Sequence, residues 1–111
     1  MTEILTLKID IKNVENMISK IIKINTNIKL TTFVYIVLAS MNAIKADSYK
    51  LNINNKIIIS DKEKNILKEK LVNELNLTKE DKIEIEYGKN KDFIFTVEVL
   101  EKEIKEEKNI Q

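Results

Sequence analysis

The chain has no histidine, cysteine, tryptophan or proline, and all nineteen of its Lys/Arg residues are lysine. Each absence removes a class of chemistry. Without histidine there is no side chain whose ordinary pKa lies near neutrality, so the usual general base and proton shuttle are missing. Without cysteine there is no thiolate nucleophile, disulfide or zinc–thiolate site. Without arginine there is no planar fork for bidentate recognition of phosphate or guanine. The one glycine, Gly88, cannot by itself build a phosphate-cradling loop. Ser19, Ser40, Ser48 and Ser60 have no histidine to activate them, and no local motif supports a Ser–Lys pair. These absences predict a protein that is not an enzyme and carries no cofactor or metal.

What remains is a chain of 111 residues, 43% hydrophobic and 33% charged, with a net charge of +1. That length and balance suit one globular domain with a real core. Lysine, asparagine and isoleucine make up nearly half of it. Their codons are rich in A and T, so this bias reflects an AT-rich genome, and lysine number alone carries no functional message. The charge is unevenly spread. Residues 1–60 hold eight lysines and four acids, a net +4; residues 61–111 hold eleven lysines and fourteen acids, a net −3. The start, Met1-Thr2-Glu3-Ile4-Leu5, lacks the basic region and apolar stretch of a signal peptide. The longest uncharged run, Leu30 to Ile44, is 15 residues long and contains Thr31, Thr32, Ser40 and Asn42. A membrane span needs about 20 mostly apolar residues, so this run reads as a buried helix in a cytoplasmic protein.

Hydrophobic periodicity orders the rest. Leu5, Leu7, Ile9 and Ile11 alternate with polar residues, as in a half-buried strand. Residues 14–24 are ambiguous: Val14, Met17, Ile18, Ile21 and Ile22 fit a helical face, whereas Ile18, Lys20, Ile22 and Ile24 fit one face of a strand. Periodicity slightly prefers helix; the β-branched run favours strand. Leu30, Phe33, Val34, Val37, Leu38, Met41 and Ile44 form an apolar stripe and predict a helix over 30–44. Asn54-Asn55 between two strand-like runs predicts a tight hairpin. Ser60 with Glu63 forms a capping box, predicting a second helix over 61–75. Ile83, Ile85 and Tyr87, then Phe93, Phe95, Val97 and Val99, predict a second hairpin over 82–100. The expected architecture is α+β: a mixed or antiparallel sheet of four or five strands with two helices packed on one face. One domain covers 1–101, and 102–111 reads as a charged tail, a frayed helix or disordered.

Lys8-Ile9-Asp10-Ile11-Lys12, Ile18-Ser19-Lys20-Ile21-Ile22, the helix with its lead-in over 28–41, and Tyr49-Lys50-Leu51 follow one another in an order seen elsewhere. With Ile85-Glu86-Tyr87-Gly88 and Asp92-Phe93, they make the chain resemble the plasmid pRiA4b ORF-3-like family, found on plasmids, transposons and bacterial chromosomes. About 75 of the 111 residues can be laid along that pattern. The match lies in order and spacing; the family's proline, tryptophans, histidine and arginines are all replaced here. The resemblance implies that 14–24 is a strand and that helices pack on one face of a mixed sheet.

Two groups of charged residues are candidate sites. Glu84 and Glu86 share the outward face of a strand, with Glu98 able to lie opposite. Three carboxylates can hold Mg²⁺, but Lys82, Lys89 and Lys91 stand close in sequence, and the expected role is contact with a protein partner. Asp10 and Asp47 are isolated. Lys12, Lys20, Lys23 and Lys29 lie in the basic half and are the alternative, as sequence-independent phosphate contacts of a nucleic-acid-binding accessory protein. Tyr35 and Tyr49 form no aromatic–basic repeat that would stack single strands. A small chain without catalytic groups, coded in an AT-rich genome and resembling a mobile-element family, suits a protein-binding inhibitor of a host defence system, such as an anti-CRISPR protein. An exposed outer strand would also allow partner-strand addition or homo-oligomerisation.

Overall fold

The computed structural model describes residues 2–11, 19–43, 49–60, 69–88 and 93–106. The elements are strands β1 (Thr2–Ile11) and β2 (Ser19–Asn25), helix α1 (Leu30–Ser40), strands β3 (Tyr49–Ile53) and β4 (Ile57–Ser60), a 3₁₀ turn (Val72–Leu75), and strands β5 (Lys82–Tyr87) and β6 (Phe93–Lys105). The strands form one six-stranded sheet in the order β2-β1-β6-β5-β3-β4, and each neighbouring pair is antiparallel.

Strand alternation sends Leu5, Leu7 and Ile9 of β1, Ile24 of β2, Leu51 and Ile53 of β3, Ile83 and Ile85 of β5, and Phe95, Val97 and Val99 of β6 to one face, where all are buried. Helix α1 closes that face with Leu30, Phe33, Val34, Val37 and Leu38, in a single core cluster that also takes in Val72 and Leu77. The predicted stripe is therefore the packed one. The helix stops at Ser40, short of the expected 44, because Asn42 takes the left-handed conformation (φ 58°). Its N–H donates to Ala39 O and the Ala43 N–H to Leu38 O, the paired closure that turns off a helix. At the other end no side chain caps α1; the Leu30 N–H instead donates to Lys70 O, and Val72 N–H to Ile28 O.

The β3–β4 hairpin turns where Asn54-Asn55 predicts it. Both asparagines have positive φ (52° and 58°), and the Lys56 N–H donates to Ile53 O. Asn54 Oδ1 also accepts the Lys82 N–H, tying this turn to the start of β5. Left-handed backbone costs a residue with a Cβ about 1–2 kcal/mol unless its side chain hydrogen-bonds locally. Asn55 does so, accepting from Asn52 Nδ2. Asn55→Ala is expected to lose about 1 kcal/mol in urea denaturation, and Asn55→Gly much less.

The expected two-helix fold and the expected tail need correction, and one open alternative is decided. The fold is not a sheet with two helices: among the described residues it is a six-stranded antiparallel sheet with one α-helix and one 3₁₀ turn. The expected helix over 61–75 falls mostly on residues outside the described ones; of the expected capping box, Glu63 lies outside them and Ser60 is the last residue of β4. Where it is described it breaks, because Leu71 is extended and bridges to Lys29 while Glu74 turns back to accept the Leu71 N–H. Residues 19–24 are strand, so the β-branched run prevails over helical spacing; 14–18 lie outside the described residues. The chain over 102–105 is not tail but the end of β6, laddered to Thr2–Leu5 past a register shift at Thr6/Leu7. Among the described residues, no helix is long and apolar enough to cross a membrane.

Candidate interaction surface

The second face of the sheet carries the residues that alternate with the core. None of those described is buried, and among the described residues no element covers it. Register decides what stands beside what there. Glu98 lies between Lys8 of β1 and Lys82 of β5. Glu84 lies between Thr96 of β6 and Asn52 of β3, and Glu86 between Ile94 and Lys50. Asp10 accepts a hydrogen bond from the Ser19 hydroxyl.

The three predicted carboxylates thus share one face of two adjacent strands, as their alternation implies. They sit in the interior of the sheet and not at its rim, since the outer strands are β2 and β4. Glu98 and Glu86 stand beside lysines and Glu84 between two neutral polar residues, so the surface is mixed in charge and not a block of acid. Among the described residues no group of three or more acidic side chains converges on a point where a metal ion could sit.

The four predicted lysines are not brought together. Lys12 lies outside the described residues. Lys20 and Lys23 are on opposite faces of β2, because Lys20 pairs with core-facing Ile9 and Lys23 with outward Thr6. The Lys20 ammonium donates to Ser40 O, satisfying a carbonyl at the C-terminus of α1, where positive charge is also favoured by the helix dipole. Lys23 approaches Glu103 at 4.0 Å, across β1. Lys29 is at the opposite end of α1, bridging to Leu71.

Two further features of the surface are apolar. Ile21 is 65% exposed on β2. At the end of the core face, beyond the last turn of α1, a groove of about 450 Å³ is lined by Ile11, Met41, Ala43, Tyr87, Phe93 and Phe95, with Asn42 at its margin. Its aromatic rings stand with centroids 6.2–6.4 Å apart. Only 5% of the chain is aromatic, and the pairing of Tyr87 with Phe93 across the hairpin concentrates that scarce class here.

Comparison with protein-family models, curated proteins and solved structures gave no match to this chain. The resemblance to the pRiA4b ORF-3-like family accordingly rests on the sequence motifs alone.

Proposed function

We propose that this chain is a non-enzymatic protein-binding module whose open sheet face meets a partner protein. The observation that carries the reading is the register of that face: Glu98 between Lys8 and Lys82, and Glu86 beside Lys50. Alternating charges on a rigid sheet select a partner with the complementary alternation and repel one with the wrong phase. A phosphate backbone is uniformly negative and gains nothing from such a pattern. The ammonium groups of Lys20 and Lys23 are held on separate groups of their own chain, and Lys29 stands at the far end of α1; this dispersal also favours the protein over the nucleic-acid reading. The AT-rich coding and the mobile-element resemblance extend the reading to an inhibitor of a host defence system, of the anti-CRISPR kind.

The test is affinity capture from the host with the wild-type chain and with the triple variant Glu84→Gln, Glu86→Gln, Glu98→Gln. Glutamine is the proper replacement, because lysine at 98 would stand between Lys8 and Lys82 and burden the fold itself. A partner retained by the wild type is expected to bind the triple variant at least tenfold more weakly, a difference of about 1.4 kcal/mol. Equal retention by the folded variant removes this face as the interface. Tight nucleic-acid binding with a steep salt slope, and no protein captured, overturns the reading.

A further inference from the structure

We propose that two copies of this chain associate through β2, edge to edge, to form one continuous antiparallel sheet. The direction of the free hydrogen-bonding groups follows from one contact. Thr26 N–H donates to Glu3 O, so Thr26 and Glu3 are a hydrogen-bonded pair at the end of the β1–β2 ladder. Antiparallel ladders alternate, and the β1–β2 register runs on from there without a shift. Ile24, Ile22 and Lys20 therefore bond inward to β1. Ser19, Ile21, Lys23 and Asn25 turn their backbone N–H and C=O groups outward, and among the described residues no strand lies beyond them.

Outer strands are ordinarily guarded by lysines, prolines or bulges. On β2 these guards are weak, although the Lys23 side chain stays 64% exposed. The chain has no proline, the ladder has no bulge, and both lysines of the strand are drawn onto their own chain. Lys20 reaches over the core face to Ser40 O, and Lys23 reaches across β1 towards Glu103. Between them Ile21 is left 65% exposed.

The charge pattern favours a second copy as the occupant. An antiparallel two-fold pairing that uses all of Ser19–Asn25 places Ile22 on the axis. Ser19 then faces Asn25, Lys20 faces Ile24, and Ile21 faces Lys23. No lysine faces a lysine, and each outward residue meets an outward residue of the other copy, so every free N–H on the edge has an acceptor. Like charges directly opposite would oppose such a pairing, and this register avoids them without any acidic partner. The interface is distinct from the carboxylates of β5 and β6, so its failure leaves the proposed function standing, and the reverse.

The experiment is sedimentation equilibrium on the full chain and three variants. The wild type is expected to be dimeric at tens of micromolar, roughly the range for an interface of modest size. Ile21→Pro removes an outward N–H and no bond to β1, so it is tolerated in the monomer; it is expected to be monomeric with an unchanged circular dichroism spectrum. Ile21→Lys places lysine opposite Lys23 twice across the axis and should raise the dissociation constant at least tenfold. Adding Lys23→Glu to Ile21→Lys turns both clashes into opposite-charge pairs and should restore at least half of the lost association. A wild type monomeric to about 100 µM overturns the proposal. So does a dimer indifferent to both Ile21 substitutions, or a double variant no better than Ile21→Lys alone.

Discussion

Replacing Phe33 by alanine is expected to cost about 3–5 kcal/mol, the range for deleting a fully buried aromatic side chain. Phe33 is 0% exposed and sits mid-stripe on α1, the one described helix over the core face. The helix has little to hold it apart from packing. Thr31, Thr32, Val34, Ile36 and Val37 are β-branched and Tyr35 is aromatic, all weak helix formers. No side chain caps its start, and its first turn carries no acid. An isolated helix of eleven residues is marginal even with a good sequence. Removing the largest buried side chain of the stripe therefore leaves a cavity and loosens the whole element. Domains of this size are stable by about 5–15 kcal/mol, so urea titration should show the midpoint fall by about a fifth or more. Exposed Tyr35→Ala, on the opposite face of α1, should change stability by less than about 0.5 kcal/mol. Equal losses at the two positions would show that α1 does not pack by the 30/33/34/37/38 stripe.

The contrast between α1 and β2 shows what was legible in the sequence. Both are rich in β-branched residues, so propensity did not separate them. In α1 the apolar positions 30, 33, 34, 37 and 38 repeat over three turns without a charge, and that length fixed the period. In β2 the chain offers only Ser19 to Asn25, too short for period 3.6 and period 2 to be told apart. The two hairpins were legible because local chemistry set them: Asn54-Asn55 at positive φ, and long alternation on both sides of Gly88. The end of β6 was not. Glu101-Lys102-Glu103-Ile104-Lys105 has no alternating apolar face, and it is strand because Thr2–Thr6 supplies the ladder. That is a tertiary cause, invisible locally.

The candidate surface was half legible for the same reason. Alternation alone put Glu84, Glu86 and Glu98 on one face. What stands between them depends on which strands are neighbours. Nothing in the sequence says that β1 inserts beside β6, bringing Lys8 against Glu98, or that β3 flanks β5, bringing Lys50 against Glu86. Likewise the lysines of the basic half looked like a cluster only along the chain. Strand alternation sent Lys20 and Lys23 to opposite faces, and each acquired a separate internal task.

The same sheet order marks the position where a charge should do the most damage. Val97 is 0% exposed and lies on β6 between Ile9 of β1 and Ile83 of β5, and Ile83 in turn pairs with Ile53 of β3. This cross-strand row runs through the centre of the core; Lys20, opposite Ile9 on the outer strand β2, is the polar side chain at its end and is held to Ser40 O. Val97→Asp places a carboxylate there without a donor. Burial of an unpaired charge costs several kcal/mol, and the group escapes only by taking up a proton. The expected result at pH 7 is a loss of more than about 4 kcal/mol, which takes most of the stability of a domain at the low end of the usual range of about 5–15 kcal/mol. The sign of the pH dependence follows. The folded-state pKa of the new carboxyl would be raised above its unfolded value of about 3.9, so the ionisation part of the penalty is absent below that pH and grows as pH rises towards the folded value, while the cost of the buried neutral carboxyl remains throughout. Val97→Ala removes only two methyl groups and should cost about 2–3 kcal/mol independently of pH. Stability curves for both variants between pH 4 and pH 7, each referred to the wild type at the same pH, separate the cavity from the charge. Parallel curves would mean that water reaches position 97 and that the Ile9–Val97–Ile83 row is not the closed centre of the sheet.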